Sequence, residues 1–210
     1  MCGFIITNIN QKSEKYKSIL KHRGPDSTGF YRNDFLKIIF NRLAIIDLNK
    51  RSNQPYTFKD YIIVFNGEIY NYIELKKQLK SYGYRFKTTS DTEVLLYSYL
   101  HWGKNCLKKL EGMFGFCVYN KKNNNIFVAR DRFGIKPIFF YRSGNNFIIS
   151  SEKKAIFEFG IERKLNSNTL TRYLTSGVYQ DDNKTFYENI NSLEPGHFME
   201  IKDYKIQINK

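Results

Sequence analysis

Met1-Cys2-Gly3-Phe4-Ile5-Ile6 opens the chain. Removal of Met1 would leave Cys2 as the first residue, carrying both a thiol and a free α-amine, and the small second side chain suits the aminopeptidases that remove initiator methionine. An α-amine has an ordinary pKa of about 7.7 to 8, so near neutral pH a useful fraction is unprotonated and can take the proton of the neighbouring thiol. Nucleophile and base then come from one residue. The competing reading is a buried thiol opening an apolar strand, Cys2 to Thr7, and the first dipeptide on its own favours that one.

Outward from this end, the 210 residues, 41% hydrophobic, suffice for one large domain with a real core. No run approaches the roughly 18 apolar residues of a membrane helix, and no basic segment precedes an apolar one at the N-terminus. Cys2, Cys106 and Cys117 are an odd set without metal-ligand spacing, read as reduced thiols; the expectation is a cytoplasmic protein with no membrane partner and no metal. The net charge of +14, with 16 Tyr and 18 Phe, raises nucleic acid as a partner. The lysines, however, are dispersed in surface-like pairs and the aromatics fall in strand-like segments, so nucleic-acid binding is set aside. A Lys, Asn, Ile and Tyr bias also fits an AT-rich genome.

Strand-like content marks residues 2–7, 36–47, 61–65, 114–119, 125–129, 138–141 and 147–150. Polar turns after Tyr119 and at Ser143-Gly144-Asn145-Asn146 make two hairpins. Helical spacing marks 70–82 and 91–102, the second opened by a Ser90/Glu93 capping box, with a shorter helix near 169–175 and a closing hairpin from 197 to 208. Antiparallel hairpins alternating with helices indicate an α+β layered fold.

Three segments carry chemistry. In Phe65-Asn66-Gly67-Glu68-Ile69-Tyr70-Asn71, the Asn66 side-chain amide and the unhindered Gly67 N–H form a donor pair suited to a developing oxyanion; an ordinary Asn-Gly turn is an equal reading. Arg42 enters the apolar run Leu43-Ala44-Ile45-Ile46-Asp47-Leu48, where a guanidinium could hold a carboxylate through two parallel bonds or simply end a strand in solvent. Asp91 follows Thr88-Thr89-Ser90, able to accept from an ammonium group or merely to complement a helix N-terminus.

Taken with His22-Arg23-Gly24-Pro25-Asp26, Gln54-Pro55, Thr88 to Glu93, Gly112-Met113-Phe114, Ala129-Arg130-Asp131-Arg132-Phe133-Gly134-Ile135-Lys136-Pro137, Ser150-Ser151-Glu152 and Leu193-Glu194-Pro195-Gly196-His197, these segments resemble the glutaminase domain of glutamine-hydrolysing asparagine synthetases. These are class II amidotransferases with an N-terminal cysteine nucleophile. The resemblance covers almost the whole chain, and the 129–137 block is similar to this branch in particular. It implies a four-layer αββα sandwich of the N-terminal nucleophile hydrolase type, two mainly antiparallel sheets between helices, formed by residues 2–210 as one domain. It implies L-glutamine as substrate: Arg42 for its carboxylate, Asp91 for its ammonium, Cys2 attacking its side-chain amide, Asn66 and Gly67 holding the oxyanion, and Glu68 with Leu43, Ala44, Ile45 and Ile46 lining the pocket. Residues 22–26 and 130–137 are expected to build turns and domain contacts.

Departures accompany the match. Phe40 stands where the family usually has histidine, the 10–22 stretch is short and implies an abbreviated first helix, and Cys117 replaces a small apolar residue. The Ser-Gly-Gly-x-Asp-Ser loop of the ATP-pyrophosphatase domain is absent. No cofactor is therefore expected here; ATP and Mg belong to a synthetase domain or subunit that would be the partner. An excised domain, a truncated product and a free-standing ammonia-supplying subunit all fit, and a non-catalytic scaffold that docks a separate synthetase is the alternative from another class.

Overall fold

Period-two alternation of apolar side chains generates two sheets and decides which of their faces meet. The computed structural model describes residues 1–10, 15–178 and 183–210. In chain order the elements are β1 (Gly3–Thr7), β2 (Ser27–Arg32), β3 (Lys37–Arg42), β4 (Tyr56–Phe58), β5 (Tyr61–Ile69), α1 (Tyr72–Ser81), α2 (Asp91–Trp102), β6 (Gly112–Asn120), β7 (Asn125–Arg130), β8 (Phe139–Ser143), β9 (Asn146–Ser150), α3 (Lys153–Phe157), α4 (Ser167–Ser176), β10 (Ile190–Ser192), β11 (Phe198–Lys202) and β12 (Lys205–Asn209). One sheet runs β10-β8-β9-β1-β3-β2 and the other β12-β11-β7-β6-β5-β4. Their pairings are antiparallel, for example Phe4 opposite Phe40 and Asn66 opposite Gly115.

Phe4 and Ile6 of β1, Phe40 of β3, Val64 of β5, Cys117 of β6 and Val128 of β7 pack between the sheets. The intervening residues face outward. Ile63, Phe65, Phe116 and Phe127 meet Leu75 and Leu79 of α1 and Val94 and Leu95 of α2, while Ile5, Ile39 and Ile148 meet Tyr16, Leu20 and Ala155 and Ile156 of α3. The result is helix, sheet, sheet, helix: the four-layer sandwich. Each buried Ile or Phe contributes about 1.5 to 3 kcal/mol, and the middle layer holds both sheets in register.

Several expectations change. The 36–47 strand ends at Arg42, because β2, its partner, begins at Ser27 opposite Arg42 and leaves nothing for residues 43–47 to pair with. Asn66 and Gly67 are not in a turn; β5 runs through them to Ile69, paired to β6. At α2 the Ser90 hydroxyl accepts from Thr92 N–H at 3.1 Å, but Glu93 does not close a capping box. Its carboxylate turns instead to Lys87 and Thr88 N–H and the Tyr56 hydroxyl. The second helix, both hairpins and the closing pair β11–β12 fall where expected. The strands β2, β4 and β10 and the short helix α3 carried too little pattern to be foreseen. Of the abbreviated first helix, the described part is a 3₁₀ turn at Lys15–Lys17, and residues 11–14 lie outside the described residues. Phe40 and Cys117 are core. Among the described residues no helix is long and apolar enough to cross a membrane.

Candidate active site

The alternation that builds the inter-sheet core also delivers polar side chains to its end. On β3 the inward series Ile38, Phe40 continues to Arg42; on β5 Ile62, Val64 continues to Asn66 and Glu68; and two residues before Phe4, just ahead of β1, comes Cys2. Where the apolar members run out, the sheets enclose a cavity of about 150 Å³ lined by Cys2, Arg42, Leu43, Ile45, Ile46, Asn66, Gly67, Glu68 and Asp91. Of the residues expected there, Ala44 is the exception. It turns from the cavity, its N–H donating to Asp26 Oδ2 at 2.7 Å.

Cys2 is gripped from both sides. The Arg23 Nε–H donates to its carbonyl at 2.9 Å, and its Sγ accepts from Leu43 N–H at 3.4 Å. Burial pushes the thiol pKa up, opposed by the Leu43 N–H and the Arg42 charge. Met1 still blocks the α-amine and lines the same cavity, its sulfur 3.2 Å from Lys136 Nζ.

Arg42 is buried and bonded to neutral oxygens only: Asn53 Oδ1 at 2.7 Å, and the carbonyls of Asp47, Asn49 and Ile46 at 2.5, 3.3 and 3.4 Å. It thereby folds residues 43–53 into a loop over the cavity, while among the described residues no carboxylate pairs with it. Asp47, at φ 52°, anchors that loop to Thr89, two residues from Asp91. Burial would raise the Asp47 carboxyl, but the Thr89 and Asn49 hydrogen bonds hold it well below the carboxylate range.

Asn66 is 1% exposed, and among the described residues neither its Oδ1 nor its Nδ2 has a partner. Such a group is costly unless something else meets it. Beside it, a Cβ on Gly67 would stand 2.0 Å from the Met113 carbonyl oxygen, so only glycine lets β5 lie this close to β6. Asp91, in the first turn of α2, accepts from Ile69 N–H at 3.1 Å. Burial, with a smaller push from Glu68, raises its pKa to about 6 against the Ile69 and Thr92 N–H bonds.

Two contributors were not foreseen. Gln54 ties the strand before Asn66 to α2, accepting from Phe65 N–H at 2.6 Å and donating to Thr92 Oγ1 at 3.1 Å. Lys136 enters the cavity from the 130–137 segment, which indeed builds a turn: Asp131 accepts from the N–H groups of Phe114, Phe133, Ile135 and Lys136. Its signal in the sequence was a single lysine amid Gly134-Ile135 and Pro137-Ile138-Phe139. Residues 22–26 are structural in the same way: His22 and Arg23 both reach Glu152, at 2.9 and 2.8 Å.

A cavity holding a thiol, an unsatisfied amide, a buried guanidinium and a buried carboxylate suits a small zwitterion that also carries an electrophilic carbonyl. Comparison with known proteins narrows this. The sequence matches the glutamine amidotransferase domain over residues 1–210. It is 36% identical over 214 residues to asparagine synthetase [glutamine-hydrolyzing] 1 of Bacillus subtilis, covering 96% of this chain and 34% of that protein. A second B. subtilis relative, asparagine synthetase [glutamine-hydrolyzing] 3, is 35% identical, with 94% and 34% covered. The chain thus spans about a third of the length of these curated relatives. Among solved structures, glutamine phosphoribosylpyrophosphate amidotransferase from B. subtilis, complexed with ADP and GMP, superposes with a TM-score of 0.73 at 20% identity, covering all of this chain and 49% of that one. A domain-wide family match, relatives at more than a third identity and a shared sandwich agree with one another: this chain belongs to the glutamine amidotransferase domain family.

Proposed function

We propose that this chain hydrolyses L-glutamine to L-glutamate and ammonia at Cys2. The observation that carries the reading is the buried, unpartnered amide of Asn66 in one cavity with Cys2, Arg42 and Asp91. Once Met1 is removed, the Cys2 α-amine takes the thiol proton and Sγ attacks the side-chain amide carbon of glutamine. The tetrahedral oxyanion is met by the Asn66 Nδ2–H and the Gly67 N–H. Collapse breaks the C–N bond, and the proton held by the α-amine leaves with the nitrogen as ammonia. Water, deprotonated by the same amine, then attacks the thioester, releasing glutamate and restoring the thiol. Arg42 and Asp91 hold the substrate carboxylate and ammonium, with Glu68, Leu43, Ile45 and Ile46 as walls.

The ammonia is handed to an ATP-dependent synthetase unit, and the relatives' names make aspartate the leading acceptor. The loop that sends Lys136 into the cavity shows Phe133 and Ile135 to solvent, 83% and 53% exposed, an apolar surface beside the site on which such a unit would sit. The test is glutamate release by the purified chain, with intact mass to establish Met1 removal and Cys2→Ala as control. Cysteine-dependent turnover is expected. A folded chain with Cys2 exposed that releases no glutamate, alone or with a synthetase partner, would overturn the reading in favour of a scaffold.

A further inference from the structure

Lys136 is only 4% exposed, and among the described residues its ammonium makes no ion pair. Its one polar contact among the described residues is the Met1 sulfur, a weak acceptor that leaves with Met1. While Met1 covers it, the ammonium has lost most of its hydration without gaining a counter-charge, which is costly. The main chain that carries Lys136 is held firmly. Its N–H donates to Asp131 at 2.9 Å and its carbonyl accepts from Arg130 Nε at 2.9 Å, so the backbone is clamped on both sides. The clamp fixes the Cα from which the Lys136 side chain reaches the cavity that Cys2 also lines.

We infer that Lys136 is a positioning residue for the Cys2 chemistry: its ammonium favours the ionised thiol and the neutral α-amine of the mature N-terminus. A cation in the same cavity favours a thiolate and opposes protonation of an amine, lowering both pKa values. The other charged groups facing this space are Arg23, Arg42 of β3, Glu68 of β5, Asp91 of α2 and Asp131 of the same loop. Two carboxylates line the cavity, the half-buried Glu68 and the buried Asp91, and the Asp91 charge works against the thiolate. Lys136 offsets it. Burial, and then the Arg23 charge, pull its own pKa down, opposed by nearby Glu68, Asp131 and Cys2.

The inference rests on Cys2 as the nucleophile, and its test is separable from turnover. Mature wild type, Lys136→Met, Lys136→Gln and Lys136→Arg are alkylated with iodoacetamide across pH, and modification of Cys2 is followed by peptide mass; Cys106 and Cys117 are buried. The midpoint should move up by about 1 unit in the two neutral variants, while Lys136→Arg stays near wild type. The acidic limb of kcat/KM for glutamine should move the same way. A neutral variant that keeps the wild-type melting temperature and an unchanged Cys2 profile would overturn the inference, and the pair of neutral variants guards against one failing to fold. If the Cys2 titration shifts as expected while wild type never hydrolyses glutamine, the proposed function fails and this inference stands.

Discussion

Asn66 offers the sharpest single-side-chain test. Removing one donor to a developing oxyanion typically costs about 10² to 10³ in rate. Asn66→Ala should lose kcat in that range while its melting temperature holds or rises, because the replaced amide has no partner to lose. Steady-state kinetics and thermal denaturation check both halves, and a fully active variant would remove Asn66 from the mechanism. Asp91 makes a pH prediction. Its carboxyl, raised to about 6, must be ionised to meet an ammonium, so kcat/KM should fall as pH drops through about 6. The stability effect has the opposite sign. A folded pKa raised from 3.8 means that stability is lost as pH climbs from about 4 to 6, by about 3 kcal/mol in all. Asp91→Asn should therefore cripple glutamine binding at neutral pH without lowering the melting temperature. That Cys2, Arg42, Asn66 and Asp91 share one cavity was legible because motif likeness tied them together. Lys136 was not legible, since nothing in the sequence says that a lysine between apolar residues points inward.

At the level of segments, pattern and pairing part company. Residues 43–47 have a strand's composition, but composition cannot say that the partner strand has already ended, nor that Arg42 will bond the carbonyls of Ile46 and Asp47 and curl the chain into a loop. The converse happened at Asn66-Gly67, where turn-forming residues remain in β5 because Gly115 and Phe114 of β6 pair with them. The 131–137 turn yields a stability prediction. Asp131 is fully buried and satisfies four N–H groups, so Asp131→Ala leaves several orphaned at about 1 to 3 kcal/mol each. A loss of more than about 3 kcal/mol is expected in urea denaturation, with Asp131→Asn falling between. A loss under about 1 kcal/mol would show that the turn is held by something else.

Across the domain, the layers set a hierarchy of protection. The central strands β1, β3 and β9 and β5, β6 and β7 are covered on both faces, whereas β4, β12, β2 and β10 are sheet edges and residues 43–53 belong to no sheet. In hydrogen exchange the amides of β5 and β6 should open only with global unfolding, and those of 43–53 well before. Equal rates in the two would contradict the architecture described. Layer order itself was not readable from periodicity. Alternation tells a strand which side is apolar, but only the contacts of Ile63 with α1 and α2 and of Val64 with the other sheet distinguish outer from inner.

Chain ends are ordinarily the loosest part of a domain, free to sample many conformations. Here the end that carries Cys2 is pinned by the wholly buried strand β1 and by Arg23 on the Cys2 carbonyl. The conformational entropy a terminus would normally keep has already been surrendered during folding, so in the proposed reaction little remains to be lost when glutamine and Cys2 are brought together. A group that exists only at a chain's frayed tip thereby acquires the rigidity of a core side chain.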